Sequence, residues 1–186
     1  MAYKNMREHK GKSLIKDLDD YVVLDIETTS LDDFYGEILE ISAIKVRNKK
    51  EVDYFSELIK VKKEVGFFTT KLTGITNEMV QKEGKELVEV LNNFKNFLGD
   101  DIIIGHNVNF DINFIYDSMQ SNLNEYLSND FVDTLRISRR ALPQLEHHKL
   151  DDLIDYFNLV KRDEHRALND CVLTNQVYLN LVKLLK

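Results

Sequence analysis

The chain has a single cysteine, Cys171, so it can form no internal disulfide. This excludes the small cross-linked scaffolds of secreted proteins. One proline, Pro143, and seven glycines in 186 residues leave no composition for a flexible linker. One domain around one substantial core is therefore expected. No apolar run is long enough to cross a membrane, and the opening MAYKNMREHKGKSL lacks the apolar core of a secretory signal. The expectation from these absences is a cytoplasmic protein with no membrane partner. Internal repeats and low-complexity tracts are missing too. The remaining composition, 43% hydrophobic and 31% charged, suits a folded globular chain.

Positive charge is also in short supply. Lysine and arginine number 25 against 32 acids, for a formal charge of −7. That is the wrong sign for a surface that binds phosphates. Two arrangements reconcile it with a nucleic-acid partner: acids gathered around metal, which reverses the local field, or a grip on a short strand end through few phosphates.

Residues 1–20 are polar and mixed in charge, and read as a solvated N-terminal extension or a marginal helix. Residues 21–186 carry the pattern of a folded domain. Tyr21 to Glu27 is nearly continuous in apolar residues, as in a strand buried on both faces. Residues 37–47 and 51–61 read as two more strands, with Asn48-Lys49-Lys50 as a hairpin turn. Asn77 to Leu98 has helical spacing of Leu87, Val90, Leu91, Phe94 and Leu98. Residues 101–104 predict a short buried strand, 109–120 a helix, and 131–132 another strand, after which Asp133 can cap a helix. Helices over 150–157 and 165–185 complete the set. Three strands followed by helices alternating with strands indicate an α/β fold with a mixed sheet.

Acids interrupt this apolar pattern at three places. Asp25 and Glu27 stand two apart on a strand and share a face. Like charges so placed repel, and a hard cation relieves the repulsion because carboxylate oxygens are preferred ligands of magnesium and manganese. Taken alone, such a pair equally suits two acids fraying into solvent. Asp111, in the run His106-Asn107-Val108-Asn109-Phe110-Asp111, shares a helical face with Phe114 and Ile115. Metal binding and a favourable helix-dipole position both account for it. Asp170 heads the stripe Leu173, Val177, Leu181 and Leu184, so it points inward near a helix start. His165, five residues earlier, falls on another face of that helix or on the preceding loop, where it can lean over a cleft.

Together these residues resemble the DnaQ-like 3′→5′ exonucleases of the DEDDh type, a family that includes the proofreading domains of bacterial replicative DNA polymerases. Asp25-Ile26-Glu27-Thr28-Thr29-Ser30-Leu31 matches the motif D-x-E-T-T-G-L except for Ser30. His106 to Asp111 matches H-N-x-x-F-D, and His165 with Asp170 matches H-x-x-x-x-D. Leu72-Thr73-Gly74-Ile75-Thr76 resembles the segment that contacts the terminal nucleotide. Phe131 to Leu135 and Lys149 to Leu153 resemble family connectors.

The resemblance covers roughly residues 21–184. It implies a ribonuclease H-like fold, a mixed five-stranded sheet flanked by helices. It also implies two divalent cations, Mg2+ or Mn2+, held by Asp25, Glu27, Asp111 and Asp170, with His165 as general base. Thr28, Thr29, Leu72, Thr73 and Ile75 would grip the last sugar and base, and Phe110 offers a ring for stacking. The implied reaction releases 5′-mononucleotides from a nucleic-acid 3′ end, with single-stranded DNA favoured, in repair, proofreading or end trimming. RNA or short oligoribonucleotides form an alternative substrate, and a catalytically idle nucleic-acid-binding subunit a second alternative. Association with a DNA polymerase is a further expectation. His106 and Asn107 read mainly as supports of the loop before Asp111, His147 and His148 as solvated loop residues, and Cys171 as core or a neighbour of the site.

Overall fold

A computed structural model describes residues 7–30, 36–160 and 167–185. Among these, six strands form one sheet: β1 (Ser13–Leu14), β2 (Tyr21–Thr28), β3 (Ile38–Arg47), β4 (Lys50–Leu58), β5 (Ile103–Gly105) and β6 (Phe131–Asp133). Seven helices accompany them: α1 (Phe67–Thr73), α2 (Asn77–Glu83), α3 (Leu87–Leu98), α4 (Asn109–Leu123), α5 (Thr134–Ala141), α6 (Leu150–Tyr156) and α7 (Ala167–Leu184). The sheet order is β1-β6-β5-β2-β3-β4. β2–β3 and β3–β4 pair antiparallel, while β2–β5, β5–β6 and β1–β6 pair in parallel. No described helix is long and apolar enough to cross a membrane.

Strand alternation divides the core. Val22, Leu24 and Ile26 face one cluster with Val90, Leu91 and Phe94 of α3 and Ile112, Ile115 and Met119 of α4. Tyr21 and Val23 face the other, with Ile137 of α5, Leu153 of α6, and Leu173, Val177, Tyr178 and Leu181 of α7. Both faces of β2 are thus covered, which explains its unbroken apolar run. Each large aliphatic side chain so buried contributes roughly 1.5–3 kcal/mol. The β3–β4 turn is a two-residue hairpin: Asn48 (φ 50°) and Lys49 (φ 61°) both lie in the left-handed region, and Arg47 pairs with Lys50. Positive φ at both central positions matches the twist of the flanking strands.

Three features depart from the sequence reading. The sheet has six strands rather than five, because Ser13–Leu14 pairs with Phe131–Val132. Residues 7–20 accordingly do not form a solvated extension. The Tyr178 hydroxyl donates to Lys16 O (2.8 Å) and accepts from Leu18 N (2.9 Å), and Arg7 pairs with Asp117. Second, the stretch from Asn77 to Leu98 is two helices. Gly84 leaves the helix at φ −65°, ψ 137° so that Lys85 can bridge to Ile59 beyond β4. A Cβ on Gly84 would stand 2.3 Å from Val80 O. Third, α1 occupies a stretch that showed no helical apolar pattern, and Thr73 is its sole buried residue.

Candidate active site

The chain brings its acids together at the carboxyl end of β2. Asp25 and Glu27 project from the face that α7 covers, and α7 delivers Asp170 from its first turn. One oxygen from each of Asp25, Glu27 and Asp170 lies within 4.8 Å of the others. All three are partly open to solvent. Asp111 comes from the opposite layer. β5 ends at Gly105, the loop turns at Asn107 (φ 57°), and α4 carries Asp111 inward in its first turn. There its Oδ1 accepts the backbone N–H of Ile26, the residue between Asp25 and Glu27, at 3.1 Å. Asp111 is buried on the same helical face as Phe114 and Ile115.

The loop before Asp111 is tightly built. Asp133 caps α5 by accepting Leu135 N (3.0 Å) and also accepts Asn107 N (2.9 Å). His106 Nδ1 lies 2.9 Å from Thr134 Oγ1, whose hydroxyl donates to Gly105 O. Burial pushes the His106 imidazole down to about 4, so it is neutral at ordinary pH. These contacts agree with a supporting role for His106, Asn107 and Asp133. Gly105 is required by close approach, since a Cβ would stand 2.5 Å from Val108 Cγ2 and 2.9 Å from Leu24 O.

The electrostatics of the cluster are unfavourable without a cation. Burial, then the charges of Asp111, Glu27, Asp170 and Glu40, hold Asp25 well above the ordinary carboxylate range. Glu27 is pushed up to about 7 by desolvation, Asp170 and Glu40. Burial raises Asp111 as well, against the pull of the N–H groups that donate to it. An all-oxygen, mutually repelling donor set suits a hard divalent cation, whose charge removes both penalties.

Glu40 is an acidic neighbour of the cluster that sequence reasoning missed. It is fully buried on β3, in register with Glu27, and its Oε1 accepts the Ser56 hydroxyl at 2.8 Å. An acid inside the apolar run ILEISAIKV was the available signal. Cys171 is also fully buried; its thiol donates to Ser42 O at 3.3 Å, and burial beside the acids raises its pKa.

The remaining site expectations divide. Thr28 Oγ1 donates to Ser30 O, and Thr29 exchanges hydrogen bonds with Glu37 through its backbone N–H and its Oγ1. Ser30 is not among the residues with positive φ, so serine fits where the family motif has glycine. Leu72 is 74% exposed. Thr73 and Ile75 are buried: Thr73 Oγ1 accepts Ile75 N, and Ile75 packs with Leu39, Leu58, Val65 and Val80. Their side chains are thus turned into the protein, while Leu72 stays open to solvent. Phe110 is partly buried with its ring 4.9 Å from that of Phe114, which is itself core. His147 is exposed, and His148 is half-buried with its Nδ1 turned inward. His165 and Leu31 lie outside the described residues.

The mixed sheet has ribonuclease H-like architecture, and the acids that converge at the end of β2 form a candidate divalent-metal site. The chain belongs to the exonuclease family RNase_T, whose profile matches residues 22–178. It is 40% identical to the PolC-type DNA polymerase III of Latilactobacillus sakei over 164 residues, covering 88% of this chain and 11% of that protein. Identity to the PolC-type DNA polymerase III of Bacillus subtilis is 33%, with the same coverage. The chain thus spans about a tenth of the length of these relatives. Among solved structures, its fold resembles that of Exonuclease X in complex with 5′ overhanging duplex DNA. The TM-score is 0.71 at 21% identity, covering 88% of this chain and 91% of the other. It also resembles E. coli Exonuclease I in complex with a dA16 oligonucleotide, with TM-score 0.74 at 17% identity, covering 89% and 41%.

Proposed function

We propose that this chain removes 5′-mononucleotides from the 3′ end of single-stranded DNA, using two divalent cations, Mg2+ or Mn2+, bound by Asp25, Glu27, Asp111 and Asp170. The observation that carries this reading is the convergence of Asp25, Glu27 and Asp170 within 4.8 Å, beside a fourth acid hydrogen-bonded to the same strand. Bound there, the cations supply charge neutralisation at the attacking and leaving oxygens of an in-line displacement. The protein's own contribution is to aim the carboxylates at one place, where a cation's charge would favour their ionised form. α4 and α7 fix Asp111 and Asp170 from opposite sides of β2, and Asp111 is further locked by Ile26 N.

His165, matched by the H-x-x-x-x-D motif, accepts the proton of the attacking water. Thr28, Thr29, Leu72, Phe110 and the backbone at Thr73 and Ile75 line the path of the terminal nucleotide. Support for DNA as substrate and for a polymerase setting comes from the relatives, which are named as DNA polymerases and as exonucleases in complex with DNA.

The test compares initial rates on end-labelled single-stranded DNA, duplex DNA and RNA of one sequence. Single-stranded DNA should be digested fastest, and duplex more slowly because its end must first fray. Faster digestion of RNA would move the substrate to the other class. Digestion that persists in EDTA would remove the cations from the mechanism.

A further inference from the structure

The helix α1 exposes its apolar side chains. Phe67 is 76% exposed, Phe68 83% and Leu72 74%, the three highest values among aromatic and leucine side chains in the described residues. A seven-residue helix is marginal by itself and is ordinarily held by burying an apolar face. Here the polar Thr69 and Thr73 turn toward the body instead. Thr69 Oγ1 reaches Thr29 O at 3.4 Å, two residues beyond Glu27, and Thr73 Oγ1 donates to Thr69 O at 3.0 Å. The helix is thereby docked beside the acidic cluster with its aromatic side outward. The two rings meet edge to face, with centroids 5.7 Å apart.

The charge around these rings is opposite to that of the whole protein. Residues 60–72 carry four lysines against the single Glu64, in a chain of net charge −7. Lys60 is paired with Glu86, but Lys62, Lys63 and Lys71 are exposed. Aromatic rings interleaved with lysines match a strand with flat bases and a phosphate backbone. A protein partner would find the apolar face, but it would gain nothing from the lysines unless it were acidic.

We propose that Phe67 and Phe68 form a stacking platform for the bases of a single strand upstream of its 3′ terminus, with Lys62, Lys63 and Lys71 taking the phosphates. The platform rests on the nuclease reading for its substrate class. It explains how an acidic protein holds a polyanion: the lysines are concentrated where the strand enters. Stacking on rings is tolerant of sequence, as suits an enzyme that must pass every base through one site.

The test is equilibrium binding of fluorescein-labelled oligothymidylates of two to twelve nucleotides to the full chain in EDTA. No turnover is needed, so failure of the hydrolytic reading leaves this measurement standing. Wild-type affinity should rise with length. In Phe67→Ala/Phe68→Ala the rise should flatten, leaving the dodecamer bound about tenfold more weakly or worse, as expected for lost base stacking. Phe67→Trp/Phe68→Trp should restore it. Lys62→Gln/Lys63→Gln should make affinity less dependent on salt. A dodecamer affinity within twofold of wild type in the folded double-alanine variant overturns the platform. So does a wild-type dimer in sedimentation that this variant loses while its DNA affinity is kept, which would assign the patch to a second copy.

Discussion

Asp111 Oδ1 accepts the backbone N–H of Ile26 at 3.1 Å, so the acid on α4 is tied to the strand that presents Asp25 and Glu27. One carboxylate serves both the electrostatics of the cluster and the alignment of the elements that form it. Two substitutions separate these roles. Asp111→Asn removes the charge and keeps an acceptor; Asp111→Ala removes both. Each should abolish activity, but in metal-free protein the alanine variant should be less stable than the asparagine variant by about 1–3 kcal/mol, the cost of a buried donor without a partner. Thermal melting in EDTA reads the difference. Equal melting temperatures would mean that the Ile26 bond contributes nothing.

The raised acids make metal-free stability depend on pH. Glu27 titrates near 4.5 when unfolded and about 7 when folded, and Asp25 and Asp111 shift in the same direction. The folded state therefore binds more protons than the unfolded chain between these values. Stability from these groups is fully present below the unfolded pKa and is lost as pH rises through the folded pKa. In EDTA, the melting temperature should fall between pH 4.5 and pH 7 by more than in Asp25→Asn, which relieves the repulsion. Mn2+ at a hundred times its Kd should stabilise the fold by roughly 2.7 kcal/mol, and the melting temperature should rise most at the upper end of that range, where Kd is lowest. A metal-free melting temperature that rises across this range would contradict the origin of the shifts.

Tyr178 fastens the N-terminal segment to α7 through Lys16 O and Leu18 N. Tyr178→Phe leaves the Leu18 N–H without its partner, at a cost of about 1–3 kcal/mol. Limited proteolysis should then cut residues 7–20 faster than in the wild type, while later sites keep their order. Unchanged cleavage there would mean that the β1–β6 pairing alone holds the segment.

His165, two residues before the start of α7 in the sequence, is the general base of the proposed mechanism. His165→Ala should lower kcat by about 10²–10⁴ and leave Mn2+ affinity nearly unchanged. A pH–rate profile at saturating Mn2+ should lose the limb that rises through the histidine's titration. Wild-type kcat in the variant, or lost metal affinity, would give His165 another role.

The central strand, the hairpin and the acids of three motifs were legible in the sequence because each leaves a local trace. The run Tyr21 to Ile26 is apolar on both faces, and Asp25, Glu27, Asp111 and Asp170 interrupt patterns that exclude charge. What was not legible depends on partners distant in sequence. Ser13–Leu14 is a strand because Phe131–Val132 offers an open edge. Gly84 breaks a helix because Lys85 is needed beside Ile59. Ile75 is buried because Leu39, Leu58, Val65 and Val80, far apart in sequence, pack around it. Glu40 joins the acids through strand register, which no motif records. The helix of Phe67 and Phe68 escaped notice because its apolar residues face outward, against the periodicity that reveals helices.

The role of the acidic cluster is tested most directly with a single-stranded DNA labelled on its 3′-terminal nucleotide, digested in Mn2+ by the wild type and by Asp25→Asn, and again in EDTA. A two-metal 3′→5′ exonuclease releases the label first as a 5′-mononucleotide, is silent in EDTA, recovers when Mn2+ is returned, and loses several orders of magnitude in the folded Asp25→Asn variant. Label retained while the 5′ end is shortened, or release that survives either EDTA or Asp25→Asn, would contradict it.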